Sequence, residues 1–145
     1  MGIGDIIILM KITMYRLVLY YLFSLLGLAV VLSFLNILPY DWGDVVLSSL
    51  LLLSVCLVVN KFFARVFKVA VNWESTYITA LILSLIVGPV SLLENLGFLI
   101  VVAMAATASK YLLVVKNKHV FNPAGLGVLF TGIFLTEGAS WWVGN

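Results

Sequence analysis

The chain has 145 residues, of which 64% are hydrophobic and 10% charged, and its mean hydropathy is +1.24. Soluble domains average about 45–50% apolar and about 25% charged residues, so soluble globular, disordered and nucleic-acid-binding classes fit poorly. The net charge of +2 is too small to mark a polyanionic partner, and a single cysteine, Cys56, excludes an internal disulfide.

Taken in chain order, the first apolar stretch, Ile6–Met10, is too short to cross a bilayer. It fits either an interfacial stretch on the inner surface or a tail. The run Tyr15–Leu38 is longer than the core of about 7–15 residues in a signal peptide, and it ends in Pro39-Tyr40-Asp41-Trp42 rather than a small-residue cleavage site. It is expected to be a retained membrane helix. The second helix is expected over 44–63, spanning if it runs on through Asn60-Lys61 to Phe63, with Cys56 as a small packing residue inside it. The third, over 74–87, opens in Asn-Trp-Glu-Ser-Thr and stops at Gly88-Pro89. The fourth, over 96–115, is long enough to span. The fifth, over 123–136, opens at Pro123 and stops at Glu137-Gly138.

A helix rises about 1.5 Å per residue against a hydrocarbon core of about 30 Å, so the third and fifth segments reach only about two-thirds of the way. Short segments bounded by Gly, Pro and polar residues are expected for broken or re-entrant helices, whose ends must be buried in protein or line a polar cavity. The alternative is two ordinary helices that are tilted or extended by their flanks. The fold expected is an all-α integral membrane domain over 1–145, with about five transmembrane segments, two of them short.

All eight basic residues fall in three places: Lys11 and Arg16; Lys61, Arg65 and Lys68; Lys110, Lys116 and Lys118. With five crossings and a cytoplasmic N-terminus, all three are cytoplasmic, and Asp41, Asp44, Glu94 and Glu137 lie on the other side. That is a positive-inside pattern with Asn145 outside. Trp42, Trp141 and Trp142 fall at the expected outer boundary and Trp73 at the inner one.

Asn122-Pro123-Ala124 reads as a helix start. Asn accepts bonds from first-turn amides, and Pro suits the first helical position, where its missing N–H costs nothing. Gly125 and Gly127 keep that start thin, so that something can approach its backbone. A capped start at membrane depth favours an anionic or electron-rich group; the plainer alternative is a helix start that only packs. Lys116, Lys118 and the chain's only histidine, His119, precede it and suit lipid headgroups or an anionic cofactor tail. His119 alone reads as solvated, proton-handling or phosphate-binding. Glu74, with Ser75 beside it, opens the third segment. It is either a carboxylate favoured by the helix dipole or part of an ion pathway. No cysteine–histidine cluster has metal-ligand spacing, and no catalytic residues can be assigned.

Three blocks in order, “WESTYITALILSLIVGP” (73–89), “ASKYLLVVKNKHVFNPAGLGVLF” (108–130) and “ASWW” (139–142), resemble the membrane subunits D of Rnf electron-transport complexes and B of the Na+-translocating NADH:quinone reductase, the RnfD/NqrB family. The resemblance covers Trp73 to Trp142. It implies the first of two related five-helix halves of a urea-transporter-like two-repeat bundle in a prokaryotic inner membrane. The function implied is a membrane subunit of a flavin-dependent electron-transport complex that couples redox to Na+ or H+ translocation. Its partners would be other membrane subunits or a second half, and its cofactor FMN or riboflavin.

On this resemblance Lys118, His119, Asn122, Pro123 and Gly125 are expected near the flavin, and Glu74 and Ser75 along an ion pathway. Covalent FMN needs the threonine of a Ser-Gly-Ala-Thr-like motif, and no such motif occurs. “TEGAS” (136–140) is an echo in the wrong place, and Thr107 is a helix-interior polar residue. Two other readings stand beside this one. Asn-Pro-Ala at a half-helix start is also the aquaporin pore motif, which points to a small-solute channel, although one triplet stands where two are needed. A cofactor-free assembly scaffold is the third.

Overall fold

The computed structural model describes residues 14–90, 96–115, 118–119 and 122–134. The residues named above at Ile6–Met10, Lys11, Glu94, Lys116, Glu137, Trp141 and Trp142 lie outside them. Among the described residues five helices follow one another: α1 (Met14–Phe34), α2 (Trp42–Val66), α3 (Trp73–Ile86), α4 (Leu96–Leu112) and α5 (Pro123–Phe134). Between α4 and α5, β1 (Val114–Val115) pairs antiparallel with β2 (Lys118–His119), with Val114 opposite His119 and Val115 opposite Lys118.

The helix ends follow local chemistry. Asn36 takes a left-handed φ of 57°, and the amide of Ile37 reaches back to the Leu32 carbonyl at 3.0 Å. This closes α1 four residues earlier than the apolar run suggests, because Asn tolerates that conformation and satisfies the last carbonyls. Asp41 caps α2 by accepting from the Gly43 amide at 3.3 Å. Lys68, at φ 53°, closes it, with the Val69 amide on the Ala64 carbonyl at 3.0 Å. Asn72 caps α3, accepting from the Ser75 amide at 3.1 Å. Gly88-Pro89 stops that helix.

Two of the helices, α1 with 21 residues and α2 with 25, are long and apolar enough to cross a membrane. At 14 and 12 residues, α3 and α5 reach about 21 and 18 Å. The expectation for the fourth segment is corrected. It is 17 residues long, about 26 Å, and ends at Leu112 rather than 115. The β-branched Val114 and Val115 favour extended backbone and pair with β2, which turns the chain back toward α5.

The main core forms where α2, α3 and α4 meet: Leu52 and Cys56, Ala80 and Leu83, Leu99, Val102, Ala103 and Ala106, with Ala124 of α5 closing one side. A smaller cluster around Ala29 and Val45 joins α1 to α2. The Ser48 hydroxyl donates to the Val90 carbonyl at 3.1 Å and accepts from its amide at 3.2 Å, pinning the turn after α3 onto α2. On α5, Gly127 lets two helices nearly touch. A Cβ there would lie 2.7 Å from the Ala106 Cβ and 2.8 Å from the Val102 carbonyl oxygen. Close approach at small residues is how helices pack where apolar surroundings remove the hydrophobic drive between them.

The interior is more polar than the outside is. Ser48, Asn60, Thr76, Thr79, Ser84, Thr107, Lys110 and Thr131 are buried, whereas Leu17, Tyr21, Phe23, Leu28, Val31, Leu50, Val58 and Phe62 face outward. Only 17% of the apolar stretch of α1 and 28% of that of α2 is covered by protein. The core helix of a soluble domain would be mostly covered.

Candidate functional site

Three interactions gather one end of the bundle. The Arg16 guanidinium at the start of α1 pairs with Glu74 at the start of α3, Nε to Oε1 at 3.1 Å. Lys110, in the last turn of α4, donates from Nζ to the Ser75 carbonyl at 2.8 Å and to the Ser75 hydroxyl at 3.2 Å. Tyr111 donates its hydroxyl to Asn60 of α2, on both the side-chain and the main-chain oxygen. Its ring stacks on Phe63 and Phe67, with centroids 5.5 and 5.9 Å away. The starts of α1 and α3 and the ends of α2 and α4 therefore share one end. Arg16, Lys61, Arg65, Lys68 and Lys110 belong to it, and Asp41 and Asp44 lie at the other end.

Lys110 is the centre of this site. It is 6% exposed, and it shares the buried face of α4 with the small residues Ala103, Ala106 and Thr107. A buried ammonium is costly unless hydrogen-bonded. Here the first turn of α3 supplies the acceptors. Asn72 fixes that turn, its main-chain oxygen accepting from the Thr76 hydroxyl at 2.9 Å. The Thr79 hydroxyl also donates to the Ser75 carbonyl at 2.9 Å, so that oxygen serves two side chains. One neighbouring group is left over: the Asn60 side-chain amide nitrogen is buried with no hydrogen-bond partner among the described residues, whereas the Thr107 hydroxyl lies against the Cys56 thiol. The arrangement amounts to a cation and a spare amide held inside an apolar bundle, next to a capped helix start.

The residues singled out in the sequence are placed as follows. Glu74 is partly exposed and forms the pair with Arg16. Ser75 accepts from Lys110. Asn122 caps α5, its side-chain oxygen accepting from the Ala124 amide at 3.1 Å, and Pro123 takes the first helical position. Gly125 is exposed, and a Cβ there would meet only the Asn122 Cβ, at 3.9 Å. Lys118 and His119 form β2, just ahead of that helix start. Glu74 and Ser75 thus stand together with Lys110, and Asn122, Pro123 and Gly125 stand together at the start of α5. The close approach expected at the thin helix start is made by α4, at Gly127.

A groove of about 600 Å³ runs along the outer side of α4 and α5, lined by Val101, Met104, Ala105, Leu126, Leu129 and Phe130 among others. It is apolar, and Glu74, Ser75 and Asn122 are not among its lining residues.

Sequence reasoning missed Lys110, Tyr111 and Asn60 as site residues, because Lys110 was read only as a marker of topology. A signal was present. Lys110 lies three residues after Thr107 and four after Ala106, on the small-residue stripe that helical periodicity turns toward neighbours.

No protein-family model, no curated protein and no solved structure matches the chain.

Proposed function

We propose that the chain is an integral membrane subunit, and that it serves in a flavin-dependent electron-transport complex of the RnfD/NqrB kind, coupling redox to movement of Na+ or H+. The observation that supports membrane integration most directly is the inverted distribution of side chains. Large apolar residues face outward along α1 and α2, and hydroxyls, an amide and a lysine face inward. In water that arrangement would expose a large apolar surface. In lipid it is the favourable one. The gathering of basic residues at one end, opposite Asp41 and Asp44, supports a cytoplasmic N-terminus, and a prokaryotic inner membrane is what the family resemblance implies.

The electron-transport reading rests on the three sequence blocks. Two features of the structure agree with it. The short α3 and α5 both start at the basic end, and both starts are capped by asparagine. FMN or riboflavin is the cofactor this reading implies, and it would supply one- and two-electron transfer. On this reading the phosphate end of FMN would meet the start of α5, which is exposed at Gly125 and preceded by the backbone ladder that contains Lys118 and His119. Covalent attachment has no residue in this chain. Other membrane subunits, or a second five-helix half, would cover the outward faces.

Purification in detergent followed by a visible spectrum tests the reading. Flavin absorbance near one per chain is the expected result. A colourless protein that carries a small solute across liposomes would replace it with a channel, and a colourless, non-transporting protein with a scaffold. Reporter fusions test orientation: a fusion placing Arg65 outside overturns it.

A further inference from the structure

We propose that the basic end of α2 is a binding site for one anionic phospholipid of the cytoplasmic leaflet, with its phosphate held by Lys61 and Arg65 and an acyl chain along the outward face of the same helix. The proposal rests on the membrane reading above, but not on electron transport.

Three observations lead to it. The first is uncompensated charge. Lys61 and Arg65 are exposed, one turn apart and about 40° from each other around α2, so both side chains reach the same place. Lys68 follows at the helix end, with a left-handed φ of 53° where glycine is the usual occupant. Like charges at this spacing destabilise a helix. No carboxylate offsets them: among the described residues the sole ion pair joins Arg16 to Glu74, and Asp41 and Asp44 lie at the far end of α2. A bound anion relieves that repulsion. The second observation is depth. Counted from Trp42 at the outer boundary, a hydrocarbon core of about 30 Å takes about 20 residues of helix and ends at Phe62. Lys61 is therefore at the inner boundary and Arg65 about 5 Å beyond it, at headgroup level. The third is the surface that leads up to them. Leu47, Leu50, Val58 and Phe62 form an exposed apolar ridge in the same sector of the helix. Ser54, within that ridge, donates its hydroxyl to the Leu50 carbonyl at 2.7 Å and so turns no unmet donor toward hydrocarbon. From Leu50 to Phe62 the ridge is about 18 Å long, against about 15 Å for one leaflet. Each basic residue near the membrane surface raises affinity for an anionic headgroup by about fivefold. A neutral headgroup would gain nothing from the cations, and a soluble anion would leave the ridge unused, so the two together select an anionic phospholipid.

The test is native mass spectrometry of the full chain released from nanodiscs made of equal parts phosphatidylglycerol and phosphatidylethanolamine with matched acyl chains. The first lipid adduct is expected to be phosphatidylglycerol by about 25-fold, fivefold for each of the two helical cations. Lys61→Gln and Arg65→Gln should each cut that preference about fivefold, the double variant should remove it, and Arg65→Lys should keep most of it. Both positions are exposed, so circular dichroism should keep its helical signal in every variant. A wild-type first adduct without preference would overturn the site and leave the cations to an acidic surface of a partner protein. A preference that survives in the double variant would overturn it as well. So would a preference spread evenly over all adducts, which marks diffuse surface charge, or one abolished by millimolar inorganic phosphate, which gives the cations to a soluble anion. A chain that stays outside the nanodisc overturns the membrane reading and this site with it, a result distinct from insertion without lipid preference.

Discussion

Replacing Gly127 by alanine tests the packing of α5 on α4. The added Cβ would lie 2.7 Å from the Ala106 Cβ, 2.8 Å from the Val102 carbonyl oxygen and 3.0 Å from the Ala106 nitrogen. Ordinary carbon contacts sit at about 3.5–4.0 Å, so the helices must part by roughly 1 Å. Two of the three atoms are backbone and cannot rotate away. Overpacking of this kind costs about 1–3 kcal/mol. Alanine returns up to about 1 kcal/mol through its higher helix propensity, leaving a net loss of about 1 kcal/mol. Gly125→Ala is the control: the site is open, so the propensity gain stands alone, about 0.5–1 kcal/mol of stabilisation. Ala106→Gly in the Gly127→Ala background should restore only part of the loss, because the contact with the Val102 carbonyl remains. Denaturant unfolding in one detergent, followed by circular dichroism, reads all four proteins. Gly127→Ala at or above wild-type stability would refute the close contact.

Lys110→Met should change stability by less than about 1 kcal/mol, because it removes both a buried charge and its hydrogen bonds, and the Ser75 carbonyl keeps the Thr79 hydroxyl. Lys110→Glu should lose about 3–5 kcal/mol in the same unfolding assay, since it buries an uncompensated carboxylate against an acceptor. Tyr111→Phe leaves the buried Asn60 side-chain oxygen without its donor, and a loss of about 1–3 kcal/mol is expected; no loss would show that another group satisfies Asn60. Glu74→Gln breaks an ion pair whose side chains are 58% and 40% exposed, so less than about 1 kcal/mol should be lost. If Glu74→Gln abolished coupled ion transport in proteoliposomes while leaving stability intact, Glu74 would be part of the ion pathway rather than a structural partner of Arg16.

The sequence by itself determined what depends on neighbours along the chain. Apolar run length marked five helices, and Pro89, Pro123 and Asn122 marked ends of two of them, because capping and proline geometry act within one turn. Asn122 capping and Pro123 at the first helical position were legible for that reason, as was the segregation of basic from acidic residues to opposite ends. The early stop of α4 was not, because Val114 and Val115 are apolar enough to continue a spanning run; it is their pairing with β2 that takes them out of the helix. Only the tertiary structure decided that Lys110 is buried against Ser75, that Tyr111 holds Asn60, that Glu74 is paired with Arg16, and that the bare side of Gly127 is filled by α4. Each of these joins helices 35 to 58 residues apart in the bonds concerned, or backbones that meet across a crossing. A charge on a helix can face solvent, a headgroup or a carbonyl on another helix with the same local sequence. Which of the three it meets is fixed by how the helices pack.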